Sequence, residues 1–259
     1  MVLLEFITHV YEHIVKCIKK GCIWRIAFKI ITGNSNFYAR RGLLNKLTMH
    51  FTKEDIDSMN RVERLNLINS ITGVKPANLV GSKSKKGVSN LAIISSVVHL
   101  SSNPALIGFI SRPSGEFRRD TYNNIMELQQ YTINHICEND IKKAHYTSAK
   151  FDESISEFEA CGFQEEYIDG IEAPFVKECE IKIGLQYQEH VKITSSNTTL
   201  IVGEIVHISL PSEILDQNGY MDLSTSKSVG ISGLNSYYSL SPLDSFPYAR
   251  VENIHKELM

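Results

Sequence analysis

"NLVGSKSKKGVSNLAIISSVVHLS", residues 78–101, holds two apolar runs divided by a cluster of Ser, Lys and Gly. Short runs rich in β-branched residues read as strands, and a polar, glycine-containing break between them reads as a turn, so the segment predicts a hairpin. The second run carries Ser95 and Ser96 among large apolar neighbours, on opposite faces if the strand is continuous. A hydroxyl in such surroundings needs a partner or costs a few kcal/mol. That partner is either a ligand or the neighbouring backbone at a strand end or bulge.

Strand signals continue outward from the hairpin. After Asn103-Pro104, "ALIGFISRP" reads as a short strand that ends at a proline, with Arg112 near its end, and "YTINHI" (131–136) reads as another. "CEIKIGLQYQEHVKI" (179–193) alternates, placing Ile181, Ile183, Leu185 and Tyr187 on one face and Lys182, Gln186 and Gln188 on a wet one. "TLIVGEIVHISL" (199–210) is apolar on both faces, which predicts cover on each side by a helix or a second subunit. Asn218-Gly219 supplies the next turn. Helices are expected after Thr52, which with Asp55 forms a capping-box pattern, from Thr121 to about Gln130, and from about Asn139 to Cys161 with a break near Phe151 and a stop at Gly162. Many short strands with a few helices, lacking the alternation of a parallel sheet, point to a mainly β fold with α elements, a small antiparallel barrel.

The 259 residues are 42% hydrophobic, enough for a substantial core. A formal charge of −2 hides an asymmetry: residues 1–48 carry +6 and the remainder −8. So acidic a body excludes a general nucleic-acid binder, which needs a basic surface. The head is apolar, but charged residues interrupt every window long enough to span a bilayer, and it lacks the order of a signal peptide. Its His9-to-His13 stretch spells the H-x-x-E-H zinc-peptidase pattern on a segment too short to build a cleft. We expect residues 1–48 to be an appendage to the domain formed by 49–259. The five cysteines, Cys17, Cys22, Cys137, Cys161 and Cys179, have no paired or metal-like spacing, so reduced thiols and a cytoplasmic location are expected.

Phosphate-binding G-x-x-x-x-G-K-[ST], G-x-G-x-x-G after a strand, H-E-x-x-H and G-x-S-x-G are all absent from the sequence. One polar arrangement stands out. "SGEFRRDTYNNI" (114–125) sets Arg118 and Arg119 at a helix start, where the macrodipole is already positive. With Asp120 as N-cap, the amides of Thr121, Tyr122 and Asn123 point to where both guanidinium groups reach, and together they suit a phosphate. Two solvated arginines on a loop are the alternative.

The order "NLAIISSVVHLSSNPALIGFISRP", "RRDTYNNI", "YTINHI", "AHYTSAKFDESISEFEACG", "GEIVHISLP" and "SVGISGLNSYY" resembles the flavin reductase-like family of FMN-binding split barrels, and most of all its flavoredoxin-like members. The resemblance covers roughly residues 51–238. It implies a six-stranded antiparallel split β-barrel with flanking helices, a homodimer, and FMN in a groove near the subunit interface. By that resemblance Asn90, Leu91, Ala92, Ser95 and Ser96 line the flavin and its ribityl-phosphate tail, and Arg112 meets the phosphate. Arg119-Asp120-Thr121 matches the family's Lys-Asp-Thr motif with the cation retained. Asn134 and His135, and the stretch from His145 to Ser148, approach the isoalloxazine from the other side. Where the family often has Arg-x-Gly-Gly, this chain has Gly230-Ile231-Ser232-Gly233, a departure in the part that faces the nicotinamide.

Three functions follow. The first is an oxidoreductase that passes electrons from NAD(P)H through FMN to free flavin, ferric iron or a partner protein, with no membrane or nucleic-acid partner. The second is a flavoredoxin-like electron carrier that never meets a nicotinamide. The third is a barrel that holds another planar ligand, haem or pyridoxal phosphate, with His99, His135 or His145 as ligand.

Overall fold

Residues 48–113 and 119–251 are described by the computed structural model. Its contacts separate two units, Met1–Glu54 and Asp55–Met259, and the architecture below is that of the second. The basic segment up to residue 47, with its H-x-x-E-H pattern, Cys17 and Cys22, lies outside the described residues, and so does Arg118.

The helix expected after Thr52 comes in two pieces, α1 (Lys53–Ser58) and α2 (Arg61–Ser70). Asn60 restarts it: its Oδ1 accepts the amides of Val62 at 3.1 Å and Glu63 at 3.0 Å, which serves two of the free donors at the new helix start. After β1 (Lys75–Pro76), the predicted hairpin forms from β2 (Asn78–Lys83) and β3 (Ser89–Ile94), with Val80 opposite Ala92.

The apolar run does not continue through the serines. β3 ends at Ile94, the chain bends at Ser95, and β4 (Val98–Ser102) pairs instead with β5 (Ala105–Ser111). Ser96 accounts for the break. Its Oγ accepts the Ile110 amide at 3.0 Å and donates toward the Ile110 carbonyl at 3.4 Å, so a side chain replaces backbone pairing at the end of β5.

The chain continues through α3 (Asp120–Leu128), β6 (Gln130–His135), α4 (Ile141–Tyr146), α5 (Glu157–Cys161), β7 (Glu165–Ile168) and β8 (Ile171–Val176). The long strands β9 (Lys182–Ile193) and β10 (Thr198–Ser209) follow, then β11 (Val229–Ser232) and β12 (Ser236–Ser239). The main sheet has the order β3-β2-β6-β9-β10-β5-β4, antiparallel throughout. It therefore has seven strands where six were expected, because the break at Ser95 and Ser96 turns one apolar run into β3 and β4. The sheet does not close, and β3 and β4 are its edges: this is a split barrel, mainly β with flanking helices.

One face of the sheet buries Val80, Phe109, Tyr131, Ile133, Leu185 and Ile201 around Ile125 of α3. The other buries Leu79, Leu91, Ile136 and Val176 with Phe158 of α5 and Phe163. Two expectations about the long hairpin change. Lys182, expected on a wet face, is 8% exposed and forms an ion pair with Glu166, because the β7–β8 hairpin covers the start of β9. Ile201 and Val202 of β10 are covered, but Val206 and Ile208 remain about half exposed in the chain. Among the described residues, no helix is long and apolar enough to cross a membrane.

Candidate functional site

The residues singled out in the sequence gather mainly around β3 and the end of β5. The Ser96 bonds to Ile110 tie the β3–β4 crossover to the strand end from which Arg112 emerges, exposed. Ser95 sits at the bend, half-buried. Arg119, across the loop, donates from Nε to the carbonyl of Pro113, the residue after Arg112, at 3.2 Å.

Asp120 is not the helix cap. Arg119 takes that position without a side-chain bond to the helix, Asp120 is the first helical residue, and the Asn123 amide is already engaged with the Arg119 carbonyl at 3.0 Å. An acidic residue in the first turn is still favourable, since it meets the positive end of the dipole. Thr121 accepts from Asn90 Nδ2 at 3.0 Å. Asn90 Nδ2 also points to Ser82 Oγ at 3.4 Å, which receives Asn124 Nδ2 at 3.2 Å. This buried network fastens α3 onto β2 and β3. It commits Asn90 and Thr121 to positioning the helix start that presents Arg119.

The remaining candidates divide by face and by edge. Leu91 is fully buried in the core opposite α3, whereas Ala92 is half-buried on the α3 side, opposite Val80. Asn134 and His135 are not brought together, because successive strand residues point to opposite faces. Asn134 is 0% exposed and spends its amide on Leu79 O at 3.2 Å, Thr132 Oγ1 at 3.0 Å and the Val176 amide at 3.0 Å. It clamps β8 to the sheet. His145 pairs through Nδ1 with the Tyr237 hydroxyl at 3.0 Å, and Ser148 donates to the His145 carbonyl at 2.7 Å. Both belong to a segment anchored along the free edge of β3, where Thr147 Oγ1 accepts the Ile93 amide at 3.0 Å.

His135 lies on the face that carries Val80 and Ile133, and burial holds its pKa down at about 4, so the imidazole is neutral near pH 7. Its neighbour on β2 is Asn78, whose other neighbour is Ile94, the last residue of β3. Asn78 is 1% exposed, and neither its Oδ1 nor its Nδ2 meets a hydrogen-bond partner among the described residues. Leaving such a group unpaired costs about 1–3 kcal/mol. Sequence reasoning passed over Asn78. The available signal was an amide at the core-facing parity of "NLVGS", two residues before Val80.

A flavin has a phosphate, an apolar ring body and a polar ring edge, and the residues present fit all three. Arg112 and Arg119 supply cations, Ala92 and Ile94 supply apolar surface on one face of β3, and Asn78 with His135 supplies uncommitted neutral polar groups. A cleft of about 160 Å³ beside Asn90, lined by Lys85, Lys86, Asp120, Glu127 and Glu157, does not fit. It is below the ~300 Å³ at which small-molecule pockets begin, and its acids repel phosphate. Among the described residues no cluster of three or more His, Cys, Asp or Glu is placed to hold a metal ion.

A family model described as the flavin reductase like domain matches residues 74–225, more than half of the chain. A flavin-reductase-type split-barrel protein from Shewanella frigidimarina NCIMB 400 superposes with a TM-score of 0.75 at 42% identity, over 78% of this chain and 100% of that one. Nitrilotriacetate monooxygenase component B from Bacillus cereus gives 0.68 at 19% identity, over 77% and 98%. Flavoredoxin of Desulfovibrio vulgaris gives 0.60 at 20% identity, over 68% and 92%. The last two share the fold.

Proposed function

This chain belongs to the flavin reductase-like domain family, and from that premise we propose that it binds FMN and passes electrons from NAD(P)H to free flavin, ferric iron or a partner protein. The observation that carries the reading is the Arg119 bond to the carbonyl of Pro113, the residue after Arg112, next to the α3 start that Asn90 and Thr121 hold in place. A phosphate there meets two guanidinium groups, which bind it by charge-assisted hydrogen bonds. Flavin, when bound, supplies the hydride and electron chemistry itself. The protein's work is to bind, orient and exclude water: Ala92 and Ile94 offer apolar surface, and neutral His135 adds no charge to the ring. No general base is required.

A flavoredoxin-like carrier is the second reading. It is favoured by Gly230-Ile231-Ser232-Gly233, which forms β11 and its turn without a cation to meet a nicotinamide. We further propose a homodimer that covers the half-exposed Val98, Leu100, Val191, Val206 and Ile208. A cytoplasmic location agrees with the free Cys137, Cys161 and Cys179. Residues 1–48 are proposed as an appendage, in keeping with a family match that starts at 74.

The decisive experiment is an absorbance spectrum of the protein loaded with FMN, followed by anaerobic NADH and then NADPH. Bleaching of the flavin bands by either supports the reductase. Bands that persist with both favour the carrier, and failure to retain FMN overturns both readings.

A further inference from the structure

We propose that Asn78 is the residue that reads the pyrimidine edge of the flavin, the ring N–H flanked by two carbonyls, with His135 beside it as a second neutral contact. This rests on the flavin reading above. It assigns a ligand-contact role to a residue that the family-derived site did not include.

The argument begins with what the other buried amides do. Asn90, Asn124 and Asn134 all have protein partners. Asn78, on the same sheet and 1% exposed, has none among the described residues for either polar atom. Buried side-chain amides are rarely left so, and each exception calls for an account. Among the described residues no hydrogen bond reaches the His135 ring either, so two neighbouring strands set uncommitted polar groups at paired positions.

Chemistry narrows the partner. A carboxamide presents one donor and one acceptor in a plane, so its match presents an acceptor and a donor in a plane. Phosphate offers acceptors alone and an apolar ring offers neither. The imide-like edge of an isoalloxazine offers both.

Position agrees. The Asn90–Thr121 contact, two residues from Arg119, lies at the start of β3, whereas Asn78 lies opposite Ile94 at its end. Asn90 and Ile94 are four residue steps apart, about 13 Å at 3.3 Å per residue. A phosphate-bearing flavin is long enough to span that distance, phosphate at one end and pyrimidine at the other. The outward amides of β3 do not compete for the role, because Leu91 N–H is taken by Glu157 and Ile93 N–H by Thr147.

The test compares dissociation constants for FMN, its N3-methyl derivative and riboflavin, by flavin fluorescence, in the full chain and in Asn78→Leu. The wild type is expected to prefer FMN over the N3-methyl derivative by tenfold or more. Asn78→Leu should bring that ratio close to one and leave the FMN-to-riboflavin ratio, which reports the phosphate, unchanged. If Asn78→Leu keeps the wild-type preference, the amide serves a buried water instead and the assignment fails by itself. If the wild type binds no flavin, the flavin reading fails and the assignment with it. A thermal melt of Asn78→Leu accompanies the titration, and a second variant, Asn78→Ser, carries the same comparison if the leucine variant does not fold.

Discussion

The Glu157 carboxylate accepts the backbone N–H of Leu91 at 3.0 Å, closing one of the outward-facing donors of the edge strand β3 with the first residue of α5. Burial raises the pKa of this carboxyl, and the charge of Asp120 pushes the same way against the hydrogen bonds it accepts. A carboxyl raised in the folded state favours the protonated form there, so the charged form works against folding at neutral pH. Glu157→Gln, which keeps an acceptor for Leu91, should therefore raise the denaturation midpoint near pH 8 and make no difference below the ordinary carboxyl range. A variant less stable at pH 8 than the wild type would show that the charge itself holds the edge.

His135 predicts the opposite trend with acid. Its folded-state pKa of about 4 lies below the ordinary imidazole value, so the unfolded chain binds the proton first. Stability should be full above pH ~6.5 and fall as the pH drops toward 4, by on the order of 3 kcal/mol if no other group contributes. In His135→Gln that slope should flatten. Denaturant titrations across this range check it, and an unchanged slope would assign the acid sensitivity to other groups.

Asn134 and Arg119 should separate stability from ligand affinity. Asn134→Ala strands the buried Val176 amide, at about 1–3 kcal/mol, yet should leave FMN affinity of the folded protein unchanged. Arg119→Glu should weaken FMN at least tenfold through repulsion of the phosphate, with little effect on riboflavin or on melting temperature. An Asn134→Ala protein of normal stability with weakened FMN would reverse these assignments.

Gly81→Ala tests how closely β8 packs on β2. A Cβ at Gly81 would collide with the Pro174 carbonyl and the Thr132 hydroxyl, which bond each other at 2.7 Å. Over-packing of this kind costs about 1–3 kcal/mol. The expected readout is a lower urea midpoint at unchanged slope.

The apolar runs that build the main sheet were legible in the sequence, because they and the turn residues between them act locally, whereas β7, β8, β11 and β12 were not singled out. Asn218-Gly219 and Gly162 fall where a turn and a helix end occur, Gly162 in the left-handed conformation. What was not legible depends on neighbours distant in sequence. Lys182 looked wet until the β7–β8 hairpin, formed by residues 165–176, came over it. Asn134 was expected with His135 in the groove from the family resemblance, although strand alternation parts the two. Asn78 looked ordinary because its want of a hydrogen-bond partner among the described residues shows only once the strands are assembled.

The β9–β10 hairpin also dictates how the domain comes apart. β6 registers on residues 182–186 of β9 and β5 on residues 199–204 of β10, so one ribbon carries the strands that flank it on both sides. Pulling either flank away disturbs the pairing that seats the other. Each flank keeps a ladder of its own, β2 with β3 and β6 on one side and β4 with β5 on the other, but both share the ribbon as their partner, so Asp55–Met259 is expected to melt in a single cooperative event, with coincident calorimetric and van't Hoff enthalpies.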